Sequence, residues 1–312
     1  MHPTQFSSGD VIADRRADYA RMLADNGEHE AAVELMEQAL EITPDWTAGL
    51  VRLADYAEKA GAKDKAVAAL RRVLEQDGED LFGVRLKLAL LGAEDMPDAP
   101  PSAYVEALFD DYADRFDKAL VERLDYTVPG KLASLVAGHH QGRFATTVDL
   151  GCGTGLFGAE IRAQTDRLEG FDLSVNMLAK AEDKQLYDLL AKADLSLDAS
   201  ASGLFADGLL EARADLVSAA DVLMYLGDLG NAFSLAAALA APAALFAFSV
   251  EDAGEGEGFI LAPSLRYAHT ETHVRTRLVE SGFELLTLRR TTIRMDGGKP
   301  ISGILFLASR TA

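Results

Sequence analysis

A chain of 312 residues that is 49% hydrophobic and 26% charged can bury more than one core, and one α/β domain of about 200 residues with a smaller partner is predicted. Its formal net charge of −20 opposes approach to a phosphate backbone, so nucleic acid is excluded and cationic, neutral or small acyl substrates remain. No apolar run of about 18 residues occurs, and the start Met1 to Phe6 has neither a basic head nor an apolar stretch, so no membrane span is expected and the predicted location is cytoplasmic.

The N-terminal part aligns with itself at a shift of 34, which pairs Ala20 with Ala54, Gly27 with Gly61, Ala32 with Ala66, Met36 with Leu70 and Ala39 with Val73. Small residues let paired helices approach, glycine sits between them, and Pro44 ends the second helix. The pattern resembles tetratricopeptide repeats, about two of them within residues 1–94, closed by a capping helix near Leu81 to Leu91. It departs from that family at Gly78, where a proline is expected after the second unit. Two units are too few to bury a continuous core, so the arm is expected to lean on the rest of the chain or on a second copy in a homodimer. Asp25, Glu28, Glu30 and Glu34 either solvate the outer helix faces or favour a basic protein partner.

Residues 95–102, with Pro97, Pro100 and Pro101, read as a linker. Behind them Phe109, Tyr112 and Phe116 fall on one helical stripe, the pattern of a core face.

The next station is Thr147-Val148-Asp149-Leu150-Gly151-Cys152-Gly153-Thr154-Gly155-Leu156, a short apolar run that closes on an acid and then on three alternate glycines. Such a turn leaves the main chain bare, so that a ligand can lie directly on it. Gly153 to Gly158 also spells the dinucleotide fingerprint, with Asp172 19 residues after Gly153. Asp149 at the strand tip argues against a pyrophosphate and for a ligand that carries ammonium and sulfonium charge. Cys152 is the single cysteine, which excludes an internal disulfide, and it reads as a small filler beside the ligand. Six histidines are scattered along the chain; His139 and His140 are adjacent, lack the helical i, i+4 spacing of a metal site and precede a polar turn, and no metal is expected.

Asp149-x-Gly151-x-Gly153-x-Gly155 and Gly170-Phe171-Asp172-Leu173-Ser174-Val175-Asn176-Met177-Leu178 resemble the first and second motifs of class I S-adenosylmethionine-dependent methyltransferases, type 11/12-like. The resemblance covers residues 103–312. It implies a Rossmann-like α/β fold with a seven-stranded sheet whose last strand is antiparallel, and S-adenosyl-L-methionine as cofactor. It further implies that the Gly151 to Gly155 loop, with Cys152, passes under the methionine part, and that Asp172 takes the ribose hydroxyls beside Leu173 and Met177. An ionised carboxylate can accept both bonds of a cis-diol. Capping of the next helix, by Asp172 or Ser174, is the competing role. Asp194, with Leu195, closes the third strand, where the family places an acid on the adenine amine. The aromatic stripe resembles a family lid, which makes Tyr112 and Phe116 pocket residues; Leu124 to Pro129 continue that pattern.

Ala214 to Val222 is the predicted fourth strand, and Asp221 and Tyr225 lie just past its tip, on the ligand side of an open α/β sheet. Ala243 to Val250, Phe283 to Leu288 and Gly303 to Ala308 are the last three strands, the final two joined by a long turn at Asp296 to Pro300. The glycine-rich acidic piece Glu251 to Gly258 is expected to be mobile. Arg266, Tyr267 and His269 cluster behind it: Arg266 is suited to a substrate carboxylate, and Tyr267, Tyr225 and His269 are candidate catalytic groups, His269 as general base. Alternatively Thr270 caps a helix that ends at Ser281-Gly282. The expected reaction is in-line methyl transfer to a small-molecule acceptor, through alignment and a dry site. A protein acceptor recruited by the repeats, or a non-catalytic adaptor that only binds the cofactor, are the alternatives.

Overall fold

The computed structural model describes residues 7–76, 78–113, 116 and 126–311, and it divides into two compact units, Met1–Ala107 and Leu108–Ala312. The division falls inside the helix Ser102–Tyr112, beyond the proline-rich stretch. Tyr104 accounts for this, because its ring packs so closely on Gly83 that an added Cβ there would sit 3.1 Å away. The first turn of that helix therefore belongs with the repeats.

The first unit comprises α1 (Val11–Asp25), α2 (His29–Ile42), α3 (Thr47–Lys59), α4 (Lys63–Gln76), α5 (Val84–Leu90) and the start of α6 (Ser102–Tyr112). Asp10 caps α1 by accepting from the amides of Ile12 and Ala13. Gly27 and Gly61 hold φ of +84° and +76° in the two inter-helix turns, the left-handed conformation that stops a helix at low cost. Every apolar pair matched by the 34-residue shift is buried. The capping helix starts later than its sequence suggests, because Gly83 is left-handed and the Asp80 carboxylate accepts from Val84 and Arg85 amides. Asp25, Glu28, Glu30 and Glu34 are exposed.

The second unit is built on one sheet. Its elements are α7 (Val128–Ala137), β1 (Phe144–Leu150), α8 (Leu156–Ile161), β2 (Thr165–Asp172), α9 (Val175–Asp183), β3 (Leu189–Lys192), β4 (Ala214–Ala219), α10 (Gly230–Leu239), β5 (Ala240–Asp252), β6 (Phe259–Leu261), β7 (Tyr267–His269), α11 (Glu271–Glu280), β8 (Phe283–Asp296) and β9 (Lys299–Arg310). Strands run β3-β2-β1-β4-β5 in parallel, after which β9 pairs antiparallel with β5 and β8 with β9. This is the arrangement that the resemblance implies, a parallel run followed by an antiparallel strand, with two strands added. β6 and β7 form a hairpin that joins the protruding tip of β5 at Glu251 and Asp252. At three residues each they are too short for an alternating pattern to reveal.

Alternation along β5 explains why the sheet is covered twice. Phe246 and Phe248 stack against Phe233 of α10 on one face, while Ala247 joins Val128, Leu132, Phe157 and Ile161 of α7 and α8 on the other. The final hairpin corrects the expected long turn: Gly297 and Gly298, at φ +54° and +77°, close it in two residues, which matches the twist of the paired strands. No described helix is long and apolar enough to cross a membrane.

Candidate functional site

Parallel register sets Asp149 beside Gly170 and Leu150 beside Phe171, so the loop that leaves β1 lies against the tip of β2. Gly151, Gly153 and Gly155 adopt φ of +63°, +54° and +88°. A Cβ on Gly151 would sit 2.4 Å from Val222 Cγ2, whereas one on Gly153 would, among the described residues, meet only Phe116, at 3.8 Å. The loop is thus tight underneath and bare above. Asp172 holds it in place: one carboxylate oxygen accepts from Gly153 N at 2.8 Å, the other from Ser174 N at 2.9 Å. The cap of α9 is Ser174, whose hydroxyl accepts from Met177 N. Burial pushes Asp172 up to about 6, opposed by the main-chain bonds from Ser174, Gly153 and Leu173 and aided by Asp110.

Asp149 is 1% exposed and lies under the loop, where Ser218 Oγ donates to it at 2.7 Å and Tyr187 Oη at 2.8 Å. Burial raises it to about 6, against those two bonds and with the Asp172 charge. The same burial, with Asp172 and Asp149 nearby, pushes the Cys152 thiol well up, so it stays protonated and packs as a small side chain.

The aromatic stripe of α6 faces this loop. Tyr112 and Phe116 meet edge to face at 5.6 Å, and Phe109 bridges Phe116 at 6.2 Å and Tyr225 at 5.1 Å. The end of α6 is fastened to the start of α9, since Ser174 Oγ donates to Asp110 Oδ1 at 2.5 Å and Asn176 Nδ2 to Asp110 O at 3.1 Å. Asp114, Arg115 and Asp117 of the stripe, like Leu124 and Asp125, lie outside the described residues.

Past the tip of β4, Asp221 takes φ +58° and donates its amide to Ser249 Oγ at 2.9 Å. Arg294 reaches it from β8: Nη1 donates to both Asp221 oxygens at 3.1 Å and Nη2 donates to Glu251. Burial still raises Asp221, with Arg294 opposing. Arg266 Nη1 stands 3.3 Å from Asp296 and 3.9 Å from Glu251 and bonds the Tyr225 hydroxyl, which burial raises. Tyr126 completes the group, its hydroxyl pushed well above the ordinary range by burial and also felt by Asp221, Arg294 and Asp149.

Arg294 and Tyr187 escaped sequence reasoning, and Tyr126 entered it only within the stretch Leu124 to Pro129 that continues the lid pattern. Arg294 follows a register shift between Thr292 and Arg294, a bulge that re-aims its side chain inward; the one trace in the sequence is an arginine flanked by Ile293 and Met295. Tyr187 and Tyr126 sit in irregular chain, where no period marks them.

The remaining expected site residues have these surroundings. His269 is fully buried, and its Nε2 donates to the carbonyls of Leu226 at 2.8 Å and Gly227 at 3.0 Å. Burial holds it down at about 4, so the geometry gives it a structural bond in place of the expected general-base role. Tyr267 is fully buried with its ring against Phe259. Thr270 caps α11 by accepting from His273 N. Asp194 Oδ1 accepts from the amide and hydroxyl of Ser196, and Leu195 O accepts from Asn231 Nδ2 at 2.8 Å. Met177 is in the core and Leu173 is half-buried at the end of β2.

Comparison with known proteins assigns both parts of the chain to families. The family described as methyltransferase domain matches residues 112–287, and the tetratricopeptide repeat matches residues 15–45. No protein of curated function matches the chain. One similar solved structure is 1,6-didemethyltoxoflavin-N1-methyltransferase of Burkholderia thailandensis, with bound 1,6-didemethyltoxoflavin and S-adenosylhomocysteine. It is 20% identical with a TM-score of 0.53, over 70% of this chain and 94% of that one. Another is the (4+2)-cyclase SpnF, 14% identical with a TM-score of 0.53, over 69% of this chain and 98% of that one. Both likenesses concern the fold.

Proposed function

This chain belongs to the methyltransferase-domain family, and from that premise we propose that it transfers the methyl group of S-adenosylmethionine to a small-molecule acceptor. The observation that carries the reading is the bare crook of Gly151, Gly153 and Gly155, tied through Gly153 N to the Asp172 carboxylate. Gly153 N bonds one Asp172 oxygen and Ser174 N the other, with Leu173 as a third main-chain partner, and a carboxylate of about four acceptor sites keeps room for a ribose hydroxyl. Among the described residues, Phe116 is the nearest side chain to a Cβ placed on Gly153, at 3.8 Å. Both features suit the cofactor.

When bound, the cofactor supplies an electrophilic methyl on a positively charged sulfur. The chain's own residues do the rest by placement. Asp149 puts a carboxylate beneath the loop, and its negative charge favours a cation above it. Phe116, just past α6, stands over Gly153 and is backed by Phe109 and Tyr112 of α6, an apolar cover that keeps water from the transfer site. Tyr225, held by Arg266 and Phe109, and Asp221, held by Arg294, form the acceptor side. With His269 committed to two carbonyls, alignment of donor and acceptor is the main source of rate.

The aromatic cover supports a small acceptor over a protein. The repeat unit favours a second role, recruitment of a protein partner, and its exposed Asp25, Glu28, Glu30 and Glu34 suit a basic one. Calorimetric titration with S-adenosylmethionine, S-adenosylhomocysteine and NAD tests the cofactor assignment. Binding of the first two and silence toward NAD is expected; the reverse pattern would end the proposal.

A further inference from the structure

Three glycines from three different elements converge on one ring. A Cβ on Gly155, in the loop, would lie 2.9 Å from Tyr187 Cε2; one on Gly158, in α8, 2.4 Å from Tyr187 Oη; one on Gly170, in β2, 2.7 Å from Tyr187 Cε1. The ring therefore fills the space that those missing side chains leave. Its hydroxyl donates to Asp149 Oδ2 at 2.8 Å, while Ser218 engages the other oxygen. Burial and the Asp149 charge keep that hydroxyl protonated, hence a donor.

From this geometry we infer that Tyr187 is a positioning residue for the methionine end of the cofactor, bracing the glycine loop from below and fixing the strand-tip carboxylate in one rotamer. The inference rests on the cofactor reading above. Tyr187 touches neither ligand nor reacting atoms; it acts through Asp149 and through Gly155. The fingerprint spacing Gly153 to Gly158, which in sequence suggested a dinucleotide, thereby acquires a different cause: Gly158 is bare to admit a tyrosine and not a pyrophosphate.

The chain carries its own reporter, since Cys152 is its single cysteine and is buried within the braced loop. The test compares wild type with Tyr187→Phe, which keeps the ring, and Tyr187→Leu, which does not. Two quantities are read: the rate of Cys152 labelling by a maleimide without ligand, and the dissociation constants of S-adenosylmethionine and of adenosine. In Tyr187→Phe, labelling should quicken about fivefold and S-adenosylmethionine weaken about tenfold, the scale of a lost bond to a charged group, while adenosine, which lacks the methionine part, changes by less than about twofold. Tyr187→Leu should label faster still. Labelling of Tyr187→Phe at the wild-type rate overturns the inference, and so does equal weakening of adenosine and S-adenosylmethionine. Should wild type bind neither ligand, the cofactor reading falls instead, and the labelling rates alone decide whether Tyr187 braces the loop.

Discussion

Arg294→Met removes the centre of a buried ion triad without removing volume. The guanidinium is 2% exposed and its partners Asp221 and Glu251 are 9% and 8% exposed, so neither carboxylate can turn to water when Arg294 is lost. Breaking such a pair costs about 3–5 kcal/mol, because the cost is an uncompensated buried charge. In a unit of about 200 residues each kcal/mol is worth about 2–4 °C, so a fall of about 6–20 °C in melting temperature is expected. The pH dependence has a definite sign. Burial already holds Asp221 above its ordinary range with Arg294 opposing; without Arg294 it rises further. A group raised in the folded state stabilises most in acid, and that contribution is lost as pH climbs through the folded value. The deficit of Arg294→Met should therefore be smaller at pH 5 than at pH 8 in calorimetric melts. Adding Asp221→Asn and Glu251→Gln should recover more than about half of it. A variant that melts within about 2 °C of wild type at pH 8, or suffers more at pH 5, would refute the argument.

Asp149 and Asp172 both stand near 6 without ligand, so the stability they lend is present in acid and lost as pH rises through 6, whereas cofactor affinity, which needs the ionised Asp172, should climb over the same interval. Titration at pH 5, 6, 7 and 8 checks this, and Asp172→Asn should weaken binding at pH 8 far more than at pH 5. Gly151→Ala combines φ +63° with a 2.4 Å clash on Val222, whereas Gly153→Ala has φ +54° and, among the described residues, an ordinary contact with Phe116 at 3.8 Å. The first should cost stability well beyond the roughly 1–2 kcal/mol of left-handed strain, the second about that strain alone, as read by urea unfolding. His269 is held down at about 4, so its neutral form stabilises the fold above pH 6.5 and that gain is lost as pH falls. His269→Gln should lower the melting temperature and leave kcat within about threefold in a methyl-transfer assay; a loss of more than a hundredfold in kcat at unchanged stability would restore it as a base.

Patterns that depend on local conformation were readable in the chain. The 34-residue shift, the glycine alternation at 151–155 and the apolar runs of β1, β4 and β5 each express a geometric demand of one element, and the structure meets them. Contacts that need two distant elements were not. Arg294 enters the site through a strand bulge, Tyr187 through three glycines that read as a phosphate fingerprint, and Tyr126 through a neighbourhood shared by Asp149 and Asp221. His269 misled for the same reason: an Arg-x-x-His cluster behind a strand looks reactive until the carbonyls of Leu226 and Gly227 occupy its nitrogen. Chemical character was legible, and pairing was not.

The tip of β5 is hydrogen-bonded on both edges, Glu251 lying opposite Gly303 in β9 and opposite Ala268 in β7. The chain between them closes on itself, Thr270 N bonding Gly258 O and Ala253 N bonding His269 O. Residues 254–257 thus hang outside a clasp whose two ends are already shut. New sequence can be grafted there while the paired strands on either side keep their register.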